Sequence, residues 1–495
     1  MPTPRVRIAP SPTGNLHVGT ARAALFNYLF ARHTGGAFIL RIEDTDLERS
    51  DPKFEKNIIE GLAWLGIIAD EDPVRGGPYA PYRQSERRAT YKKYITQLLE
   101  TDCAFYCFHS ERELAVEKEE LIHAKRPALH LCEFRTLPYE EARLLQETKP
   151  DCIIRFKTPV ATHIAFDDLI KGLIQFDAGL LGDFSIAKNP DTPLYNFAVV
   201  VDDADMQITH VIRGDDHLSN TPKQMLLIEA LGFAQPQYAH LPLILGPDRT
   251  KLSKRHGTTS IEEYRAAGYL PEALFNFIAL LGWNPGHEKE LFIQKELIEQ
   301  FSLERVQKSG AVFDSIKLDW MNGEYIRKTP IDELAKLAVP YIATFLQCAM
   351  PNDQFSREYI ERVVALEQPR LKKLSEIGER VEYFFREPEY DKEVLRWKQM
   401  NDTDIRSSLE AVEKIIARLQ LPLSPSDIET ALLAEIGEGD RGRTLWPLRV
   451  ALTGKKASPG PFEIIAILGK EATLERIRLA QKKLGGLKQT APQSS

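Results

Sequence analysis

Residues 7–20 read RIAPSPTGNLHVGT, and this stretch decides the fold. It contains the end of a strand predicted at residues 6–9, a loop rich in Pro and Gly, and the start of a helical pattern that runs from about Val18 to His33. A second strand is predicted at residues 37–42, after a Gly-Gly turn. A strand, a helix and a second strand in this order form a parallel crossover unit, so we expect an α/β nucleotide-binding core.

The start of this helix is suited to an anion. Its free backbone N–H groups and the positive end of the helix dipole attract phosphate. Gly19 lets a bulky ligand approach the backbone closely, and His17 is placed to donate to phosphate or ribose oxygens. Taken alone, His-x-Gly-Thr at a helix start is more often explained by a histidine that caps the helix, and that alternative stays open here.

A basic loop follows more than 200 residues later, with the sequence KLSKR at residues 251–255 and Arg249 just before it. Four cations within seven residues repel one another, so we expect the loop to be mobile until an anion arrives. A triphosphate would supply that anion, because Lys acts as a point charge on departing pyrophosphate. A basic loop on its own is more often simply exposed to solvent.

The organisation of the chain is that of several domains. At 495 residues it exceeds the length at which one core keeps growing, so we expect roughly three to four domains. From about Ser110 to Lys188 a charged helix and short strands interrupt the pattern, and strand character resumes at residues 197–201 and 209–213. These observations predict an insertion between two halves of one sheet. Beyond Tyr264 the pattern is helical and predicts helix bundles.

Composition and charge limit the class of protein. Hydrophobic residues make up 43% and charged residues 27% of the chain, as in soluble globular proteins. We find no apolar signal core and no apolar stretch long enough to cross a bilayer, so we expect a cytoplasmic protein without membrane contact. Five cysteines are too few and too unevenly placed for a disulfide framework. The net charge is −7, but residues 441–488 hold 11 Lys and Arg against 3 acids, which fits either a polyanionic partner or a solvated helical face.

Several motifs together carry a family resemblance. His-x-Gly-Thr at the first strand-to-helix junction and the distant KLSKR loop resemble the two signatures of class I aminoacyl-tRNA synthetases. Within that class the chain resembles the bacterial-type glutamyl-tRNA synthetases. The matching segments are RIAPSPTG (7–14), RIEDTD (41–46), GPY (77–79), YRQSER (82–87), VIRGDDHLSNTP (211–222), WMNGEYI (320–326) and PLRVALTG (447–454).

The resemblance implies an α/β fold with a Rossmann-like parallel-sheet catalytic core, an inserted acceptor-binding domain and all-α anticodon-binding domains. The implied domains are a catalytic domain in two halves (1–110 and 191–245), the insertion (111–190), a stem-contact domain with the KLSKR loop (246–328) and helical anticodon-binding domains (329–495). The implied substrates are L-glutamate, ATP with Mg²⁺, and tRNA(Glu), and a monomer is expected.

Roles for individual residues follow from the same resemblance. The implied catalytic residues are Lys254, Lys251 and His17, and the implied ATP-binding residues are His17, Gly19, Thr20, Asp216 and Lys254. Glutamate offers two carboxylates and one ammonium, so its pocket should present cations and an acid, with Arg7 and Arg213 as the matching cations and Glu43 as the matching acid. The implied glutamate-binding residues are Arg7, Ala9, Ser11, Glu43, Tyr195 and Arg213. Taken singly, Arg213 near Asp215 is more often a surface ion pair.

Zinc needs separate consideration, because some members of the family hold it in the insertion with Cys-x-Cys and Cys-x-His pairs. The pairs here are Cys107-x-His109 and His130-x-Cys132, which offer two Cys and two His for a tetrahedral site. Their order departs from the family pattern and Cys103 is a spare. The sequence therefore favours buried or loop thiols and no metal.

The range of tRNA substrates depends on one segment. Family members restricted to tRNA(Glu) use an Arg in an Arg-Pro-Arg-like segment to reject tRNA(Gln), and the apparent match here is Gln368-Pro369-Arg370. The missing first Arg leaves open an enzyme that also charges tRNA(Gln).

Four other kinds of protein are weighed against this assignment. A glutaminyl-tRNA synthetase should end in β-barrels, whereas residues 330–485 have helical patterns. A tRNA-modifying paralogue lacks anticodon domains, and a small-molecule adenylyltransferase would leave the C-terminal half without a role. An inactive tRNA-binding scaffold would not need the His and Lys residues that both signatures retain.

Overall fold

The computed structural model describes residues 3–46, 48–127, 129–159, 163–347, 355–420, 422, 424–437 and 439–485. The chain divides into two units: Met1–Ala266 with Pro271–Leu318, and Ala267–Leu270 with Asp319–Ser495. All strands of the described residues lie in the first unit. The second unit is helical throughout its described part, which agrees with the predicted helix bundles and not with β-barrels.

The strands of the described residues form four sheets. They are β1 (Arg5–Ile8), β2 (Ala37–Leu40), β3 (Ala104–Cys107), β4 (Ile153–Phe156), β5 (His163–Asp168), β6 (Gly172–Asp177), β7 (Ser185–Asn189), β8 (Thr192–Pro193), β9 (His210–Gly214), β10 (Gln237–Leu241), β11 (Ile244–Leu245) and β12 (Ala311–Val312). The sheet orders are β1-β2, β6-β5-β10-β9, β11-β12 and β3-β4-β7-β8. The pairs β1-β2, β9-β10 and β5-β10 are parallel, which confirms the predicted α/β fold class.

The helices connect and cover these strands. They are α1 (Val18–Thr34), α2 (Pro52–Trp64), α3 (Arg88–Glu100), α4 (Glu111–His123), α5 (Tyr139–Thr148), α6 (Tyr195–Asp205), α7 (Thr221–Leu231), α8 (Ile261–Ala266), α9 (Pro271–Ala279), α10 (Gln294–Gln300), α11 (Ser315–Lys328), α12 (Ile331–Leu346), α13 (Arg357–Glu367), α14 (Ile377–Val381), α15 (Asp402–Arg418), α16 (Pro425–Ile436), α17 (Gly442–Thr453) and α18 (Pro461–Leu484). None of the described helices is both long and apolar enough to span a membrane.

The first crossover unit is built as predicted. Helix α1 contacts β1, β2 and β9 as well as α9 and α10, so it is buried on most of its surface. It ends at Gly35, which has a left-handed φ of 67°. The next residue, Gly36, cannot carry a side chain, because a Cβ there would lie 2.3 Å from the carbonyl oxygen of Pro4. Both glycines are thus needed to turn the chain from α1 into β2.

The strand predicted at residues 197–201 is wrong, because this segment is the middle of α6. Its β-branched residues favour a strand, but Phe197 to Val201 are all buried. A continuous apolar run fits a buried strand and a buried helix equally well. The tertiary packing decides between them, and here it selects the helix.

The predicted insertion contributes to two different sheets. An antiparallel sheet joins β3, which precedes residue 111, to β4, β7 and β8. The hairpin β5-β6 pairs in parallel with β10, with Asp168 opposite Tyr238, and so extends the sheet that holds β9. One strand of the predicted insertion, β5, therefore lies directly beside β10.

Candidate active site

Eleven of the twelve residues predicted for catalysis, ATP binding and glutamate binding line one cavity of about 500 Å³ at the carboxyl ends of β1 and β9. The predicted residues that line it are Arg7, Ala9, Ser11, His17, Gly19, Thr20, Glu43, Tyr195, Arg213, Asp216 and Lys251. Lys254 is not part of the lining, although its charge helps to lower the pKa of His17. Ligands of open α/β sheets bind at such strand ends.

His17 both caps the helix and keeps a donor for a ligand. Its Nδ1 accepts a hydrogen bond of 3.1 Å from the backbone N–H of Gly19. Burial, with help from the charge of Lys251, lowers the pKa of His17, so the ring is neutral and its proton lies on Nε2. The capping role is therefore confirmed. It fixes the tautomer that can donate to an oxygen of a ligand.

Gly19 has no neighbour in the protein that requires a glycine. A Cβ at this position would meet only Nδ1 of His17, at 3.4 Å, which is an ordinary contact. The space above the first turn of α1 is therefore open, as the approach of a bulky ligand to the backbone demands.

Backbone hydrogen bonds join the first signature segment to the residues that follow the KLSKR loop. The N–H of Val18 donates to the carbonyl of Thr259 at 2.9 Å, and the N–H of Ile261 donates to the carbonyl of Leu16 at 2.9 Å. Within the basic loop, Lys251 forms an ion pair of 3.2 Å with Asp216. Among the described residues, no carboxylate lies within 4.0 Å of Lys254, so its charge is not neutralised by an ion pair.

A buried network of charges lies behind the cavity. Arg7 donates to both carboxylate oxygens of Asp203, at 3.0 and 3.2 Å. Arg41, which is fully buried, donates to Asp203 at 2.7 Å and to Glu43 at 3.0 Å. Burial raises the pKa of Asp203, but the charges of Arg7 and Arg41 outweigh this effect and lower it. Burial also raises the pKa of Glu43, and Arg41 only partly reverses the rise.

A second buried acid extends the network. Asp202 accepts from Arg87 at 2.7 Å, from Tyr91 at 2.9 Å and from Gln84 at 2.8 Å. Arg41 lies 3.6 Å from it as well. The two adjacent acids on α6 thus hold three arginines between them.

Arg213 is held in a different way. Its Nε donates to Nε2 of His240 at 3.2 Å, and one of its terminal nitrogens donates to the hydroxyl of Thr221 at 2.8 Å. The ion pair with Asp215, weighed as the ordinary explanation, is not found in the described part of the chain, because Asp215 pairs with Lys171 at 2.8 Å. Arg213 therefore faces the cavity as a cation without an acidic partner.

Tyr195 and His217 form a neutral pair that also lines the cavity. The phenol oxygen of Tyr195 lies 2.9 Å from Nδ1 of His217. Burial raises the pKa of Tyr195 to about 12 and lowers the pKa of His217 to about 4, the latter with help from the charge of Arg213. Both groups are uncharged at neutral pH and can take part in hydrogen bonds to a ligand.

Four residues of the site were not found from the sequence. Arg22 and His217 line the cavity, and Asp203 and Arg41 orient the groups that do. The signal for Asp203 was available, since two acids follow an apolar run of five residues and buried acids are rarely unpaired. The false assignment of that run to a strand concealed it.

The four residues weighed as zinc ligands come together in the inserted segment. The side chains of Cys107, His109, His130 and Cys132 place their ligand atoms within 4.8 Å of one another. The Sγ of Cys107 lies 3.5 Å from Nδ1 of His109 and 3.6 Å from Nε2 of His130, and the Sγ of Cys132 lies 3.7 Å from Nδ1 of His109. Thus the four residues that the sequence disfavoured as zinc ligands lie close enough together to hold a metal ion.

The two residues predicted to discriminate anticodons have unequal exposure. The amide of Gln368 donates to the carbonyls of Ile326 and Thr329 at 2.9 Å each, so it caps the end of α11. Arg370 lies 3.6 Å from Glu367 and its side chain is 46% exposed. Of the two, Arg370 is the one presented to solvent.

The basic stretch near the C-terminus is partly used inside the second unit. Arg476 is buried and donates to the carbonyl of Leu452 at 2.6 Å, and Arg478 pairs with Glu413 at 2.7 Å. Lys470 donates to the carbonyls of Ala417 and Leu419. Lys488, part of the same count, lies outside the described residues.

Comparisons with known proteins show the family to which the chain belongs. The family model "tRNA synthetases class I (E and Q), catalytic domain" matches residues 4–320, and the model "Anticodon binding domain" matches residues 333–481. A glutamate–tRNA ligase of Desulforamulus reducens is 46% identical over 489 residues, which cover 97% of this chain and 99% of the relative. One of Carboxydothermus hydrogenoformans is 46% identical over 484 residues, covering 96% and 98%. A crystal structure of a glutamate tRNA ligase from Elizabethkingia meningosepticum, in complex with its amino acid, is 37% identical with a TM-score of 0.87 and covers 97% of this chain and 100% of its own.

Proposed function

Because the chain belongs to the glutamate–tRNA ligases among the class I aminoacyl-tRNA synthetases, we propose that this cavity activates L-glutamate with ATP and transfers the activated glutamate to the 3′ end of tRNA(Glu). The proposal rests on one observation: Arg7, Arg213 and Glu43 line the same cavity as His17, the residue that caps the start of α1. Two cations and one acid match the two carboxylates and the ammonium of glutamate. The helix start matches the phosphates of ATP.

The reaction has two steps. In the first, an oxygen of the substrate carboxylate bonds to the α-phosphorus of ATP, the bond from that phosphorus to the β-phosphate oxygen breaks, and pyrophosphate leaves. In the second, a ribose hydroxyl at the tRNA 3′ end bonds to the carbonyl carbon, its proton is released, and AMP leaves. The first step needs no general base, because the carboxylate is already ionised at neutral pH. The protein therefore contributes mainly position and charge.

The proposed roles divide between the two substrates. His17, Gly19, Thr20 and Asp216 bind ATP, and Lys251 and Lys254 stabilise the charge that develops on its phosphates. ATP arrives with Mg²⁺, which screens the phosphate charge and needs few protein ligands. This requirement fits a cavity lined by only two acids, Glu43 and Asp216. Arg7, Ala9, Ser11, Glu43, Tyr195 and Arg213 bind glutamate.

The tRNA contacts belong to the same proposal. The insertion at residues 111–190 receives the acceptor end, residues 246–328 contact the stem, and the helical residues 329–495 read the anticodon. The family resemblance also supports a cytoplasmic monomer. We further propose that tRNA(Gln) is charged with glutamate, because Gln368 stands where a discriminating Arg is expected and its amide is engaged by α11.

Charging of purified tRNA(Glu) and tRNA(Gln) with labelled glutamate tests both statements. We expect ATP-dependent charging of both tRNAs and none with labelled glutamine. Charging of tRNA(Glu) alone would discard the relaxed range and keep the activity, whereas failure with both would overturn the proposed function. In the Gln368→Arg variant, tRNA(Gln) charging should fall while tRNA(Glu) charging persists.

We also propose that Cys107, His109, His130 and Cys132 bind a structural zinc ion. With Zn–S near 2.3 Å and Zn–N near 2.0–2.1 Å, a tetrahedral site separates neighbouring S and N ligands by about 3.5 Å. The three S–N distances of 3.5, 3.6 and 3.7 Å agree with this spacing. Moreover, Nδ1 of His130 is hydrogen-bonded to the carboxylate of Glu117, and this contact orients Nε2 toward the site.

Metal analysis of the purified protein tests the zinc proposal. We expect a single zinc ion per chain, lost in Cys107→Ser and retained in the matched control Cys103→Ser, whose sulfur lies outside the cluster. After exchange for Co²⁺, the visible absorption of a tetrahedral thiolate complex should appear in the control and be absent from Cys107→Ser. A protein without bound zinc, or equal zinc in both variants, would contradict the proposal.

The raised pKa of Glu43 predicts a pH dependence of glutamate binding. Glu43 must be ionised to bind the substrate ammonium, so KM for glutamate should rise as pH falls through its pKa. Burial raises that pKa, and the rise in KM should therefore begin at a higher pH than for an exposed Glu. Glu43→Gln should raise KM about 10- to 150-fold, the equivalent of a charged hydrogen bond of about 1.5–3 kcal/mol.

Steady-state kinetics in the presence of tRNA(Glu), measured across pH, check this prediction. KM for glutamate should become insensitive to pH in Glu43→Gln, and KM for ATP serves as the internal control. If the variant retains the original pH profile, another group titrates and Glu43 is not the ammonium ligand.

A further inference from the structure

Arg213 differs from three other buried arginines of the site, which pair with acids. Arg7, Arg41 and Arg87 each lie against Asp202 or Asp203. Arg22 also lines the cavity without a described acidic partner, but its guanidinium donates to the carbonyls of Pro242 and Leu281. Among the described residues, Arg213 has no carboxylate within 4.0 Å, and its Nη1 has no hydrogen-bond partner. An uncompensated buried charge is costly unless polar groups hold it. The groups that hydrogen-bond to Arg213 therefore determine the orientation of its guanidinium in the cavity.

Those groups are three neutral acceptors, one of which is the carbonyl of His217 at 3.5 Å from Nη2. Nε2 of His240 accepts from Nε of Arg213 at 3.2 Å, and the hydroxyl of Thr221 accepts from Nη2 at 2.8 Å. The same hydroxyl lies 3.1 Å from Nε2 of His240. These contacts use one edge of the guanidinium and leave Nη1 free for a ligand in the cavity.

The ring of His240 can accept only in one tautomer, and Asp168 selects it. Nδ1 of His240 lies 2.6 Å from the carboxylate of Asp168, so the proton resides on Nδ1 and Nε2 keeps its lone pair. Asp168 is fixed in turn by the backbone N–H groups of Ile170 and Lys171, at 2.9 and 2.8 Å. Both His240 and Asp168 are buried, His240 completely.

Burial, with help from the charge of Arg213, keeps the ring in its neutral form. Burial and the nearby charge of Arg213 lower the pKa of His240, against the opposing effect of Asp168 and of Asp215. Hydrogen bonds from His240 and the backbone outweigh burial and lower the pKa of Asp168. The other groups packed on the imidazole, Phe166 and Tyr238, are uncharged rings. A protonated ring would turn a donor toward the guanidinium and break the contact.

We propose that Asp168 and His240 are positioning residues for glutamate binding, which orient Arg213 through a neutral acceptor so that its charge remains available to a substrate carboxylate. The inference rests on the proposed role of Arg213 in binding glutamate. A carboxylate in place of His240 would orient the guanidinium equally well but would compete with the substrate for its charge. Because Asp168 lies on β5, a strand of the inserted segment helps to build the glutamate site of the core.

A purely structural role for this pair predicts a different result from a positioning role. Loss of fold would lower stability and weaken ATP and glutamate binding together. A positioning role changes KM for glutamate selectively, and only while Arg213 is present. The two can be separated by a double-mutant cycle.

The cycle consists of Asp168→Asn, Arg213→Gln and the double variant, assayed by pyrophosphate exchange with tRNA(Glu) present and by glutamate titration calorimetry. In Asp168→Asn the amide N–H faces Nδ1, which favours the wrong tautomer, so we expect KM for glutamate to rise about 10-fold or more, with KM for ATP unchanged. In the Arg213→Gln background the same substitution should add nothing. Additive losses, or parallel rises in both KM values, would overturn the proposal.

His240→Gln and His240→Leu provide a second test if Asp168→Asn does not fold. Gln places a carboxamide oxygen near the position of Nε2 and should largely retain glutamate affinity, whereas Leu removes the acceptor and should not. Equal affinities in the two would refute the neutral-acceptor role. If Arg213→Gln itself leaves KM for glutamate unchanged, the proposed role of Arg213 fails and the inference falls with it. If Arg213→Gln raises KM and Asp168→Asn does not, the positioning role alone fails.

Discussion

Lys254→Ala is expected to lower kcat for glutamate activation by about 10²- to 10³-fold, the usual cost of removing one group that stabilises charge in a transition state. The reason lies in its surroundings, because Lys251 is paired with Asp216 while no described carboxylate pairs with Lys254. Its charge is therefore available to phosphate oxygens as the bond to pyrophosphate breaks. ATP–pyrophosphate exchange in the presence of tRNA(Glu) measures the effect.

Two further variants make this result specific. Lys254→Arg keeps the charge and should recover part of the lost rate. Arg249→Gln removes an exposed cation from the same loop and should leave exchange unchanged, since Arg249 does not line the cavity and, unlike Lys254, is not among the charges that shift the pKa of His17. An equal loss in Lys254→Ala and Arg249→Gln would mean that the loop acts through its total charge, and undiminished exchange in Lys254→Ala would exclude the proposed role.

The sequence predicted those elements and site residues whose pattern lies within one short stretch of the chain. The element β1, the loop, α1 and β2 were predicted because the strand pattern, the Pro-rich loop and the Gly-Gly turn occur within one short stretch. Residues that line the cavity were found because they lie within recognisable motifs. Lys254 lies in such a motif but does not line the cavity. A motif therefore predicts the region in which a residue lies but not whether its side chain contacts the cavity.

The groups behind the cavity could not be predicted in the same way. Asp203 meets Arg7 across 196 residues, and Asp168 meets His240 across 72. The sequence can mark Asp203 as a buried acid, but it does not identify the partner of either residue until the fold places the two side by side. The cluster of Cys107 with Cys132 is similar, because local spacing gave an unfamiliar order of ligands and only the fold brought the pairs together.

Asp203→Asn is expected to have the largest combined effect on stability and on glutamate binding. The carboxylate accepts from Arg7 and Arg41 at once, and an amide offers only one acceptor oxygen and turns a donor toward a guanidinium. Removing one partner of a buried ion pair costs about 3–5 kcal/mol. The melting temperature should fall by about 6–15 °C. KM for glutamate should rise by two orders of magnitude or more, about 3 kcal/mol, because Arg7 and the Arg41–Glu43 pair lose their alignment.

Differential scanning calorimetry and exchange kinetics on Asp203→Asn and Asp205→Asn test this expectation. Asp205 is on the same helix, but its side chain is 44% exposed and it pairs with Arg87, so its loss should cost at most about 1 kcal/mol. The pKa of Asp203 is lowered in the folded protein, so its contribution to stability is complete above the unfolded value of about 3.9 and is lost as pH falls through the folded value. The difference between Asp203→Asn and the unaltered protein should therefore be full at neutral pH and shrink in acid. Equal destabilisation by the two variants would show that α6 tolerates no loss of charge anywhere, and would remove the basis for assigning Asp203 to the glutamate site.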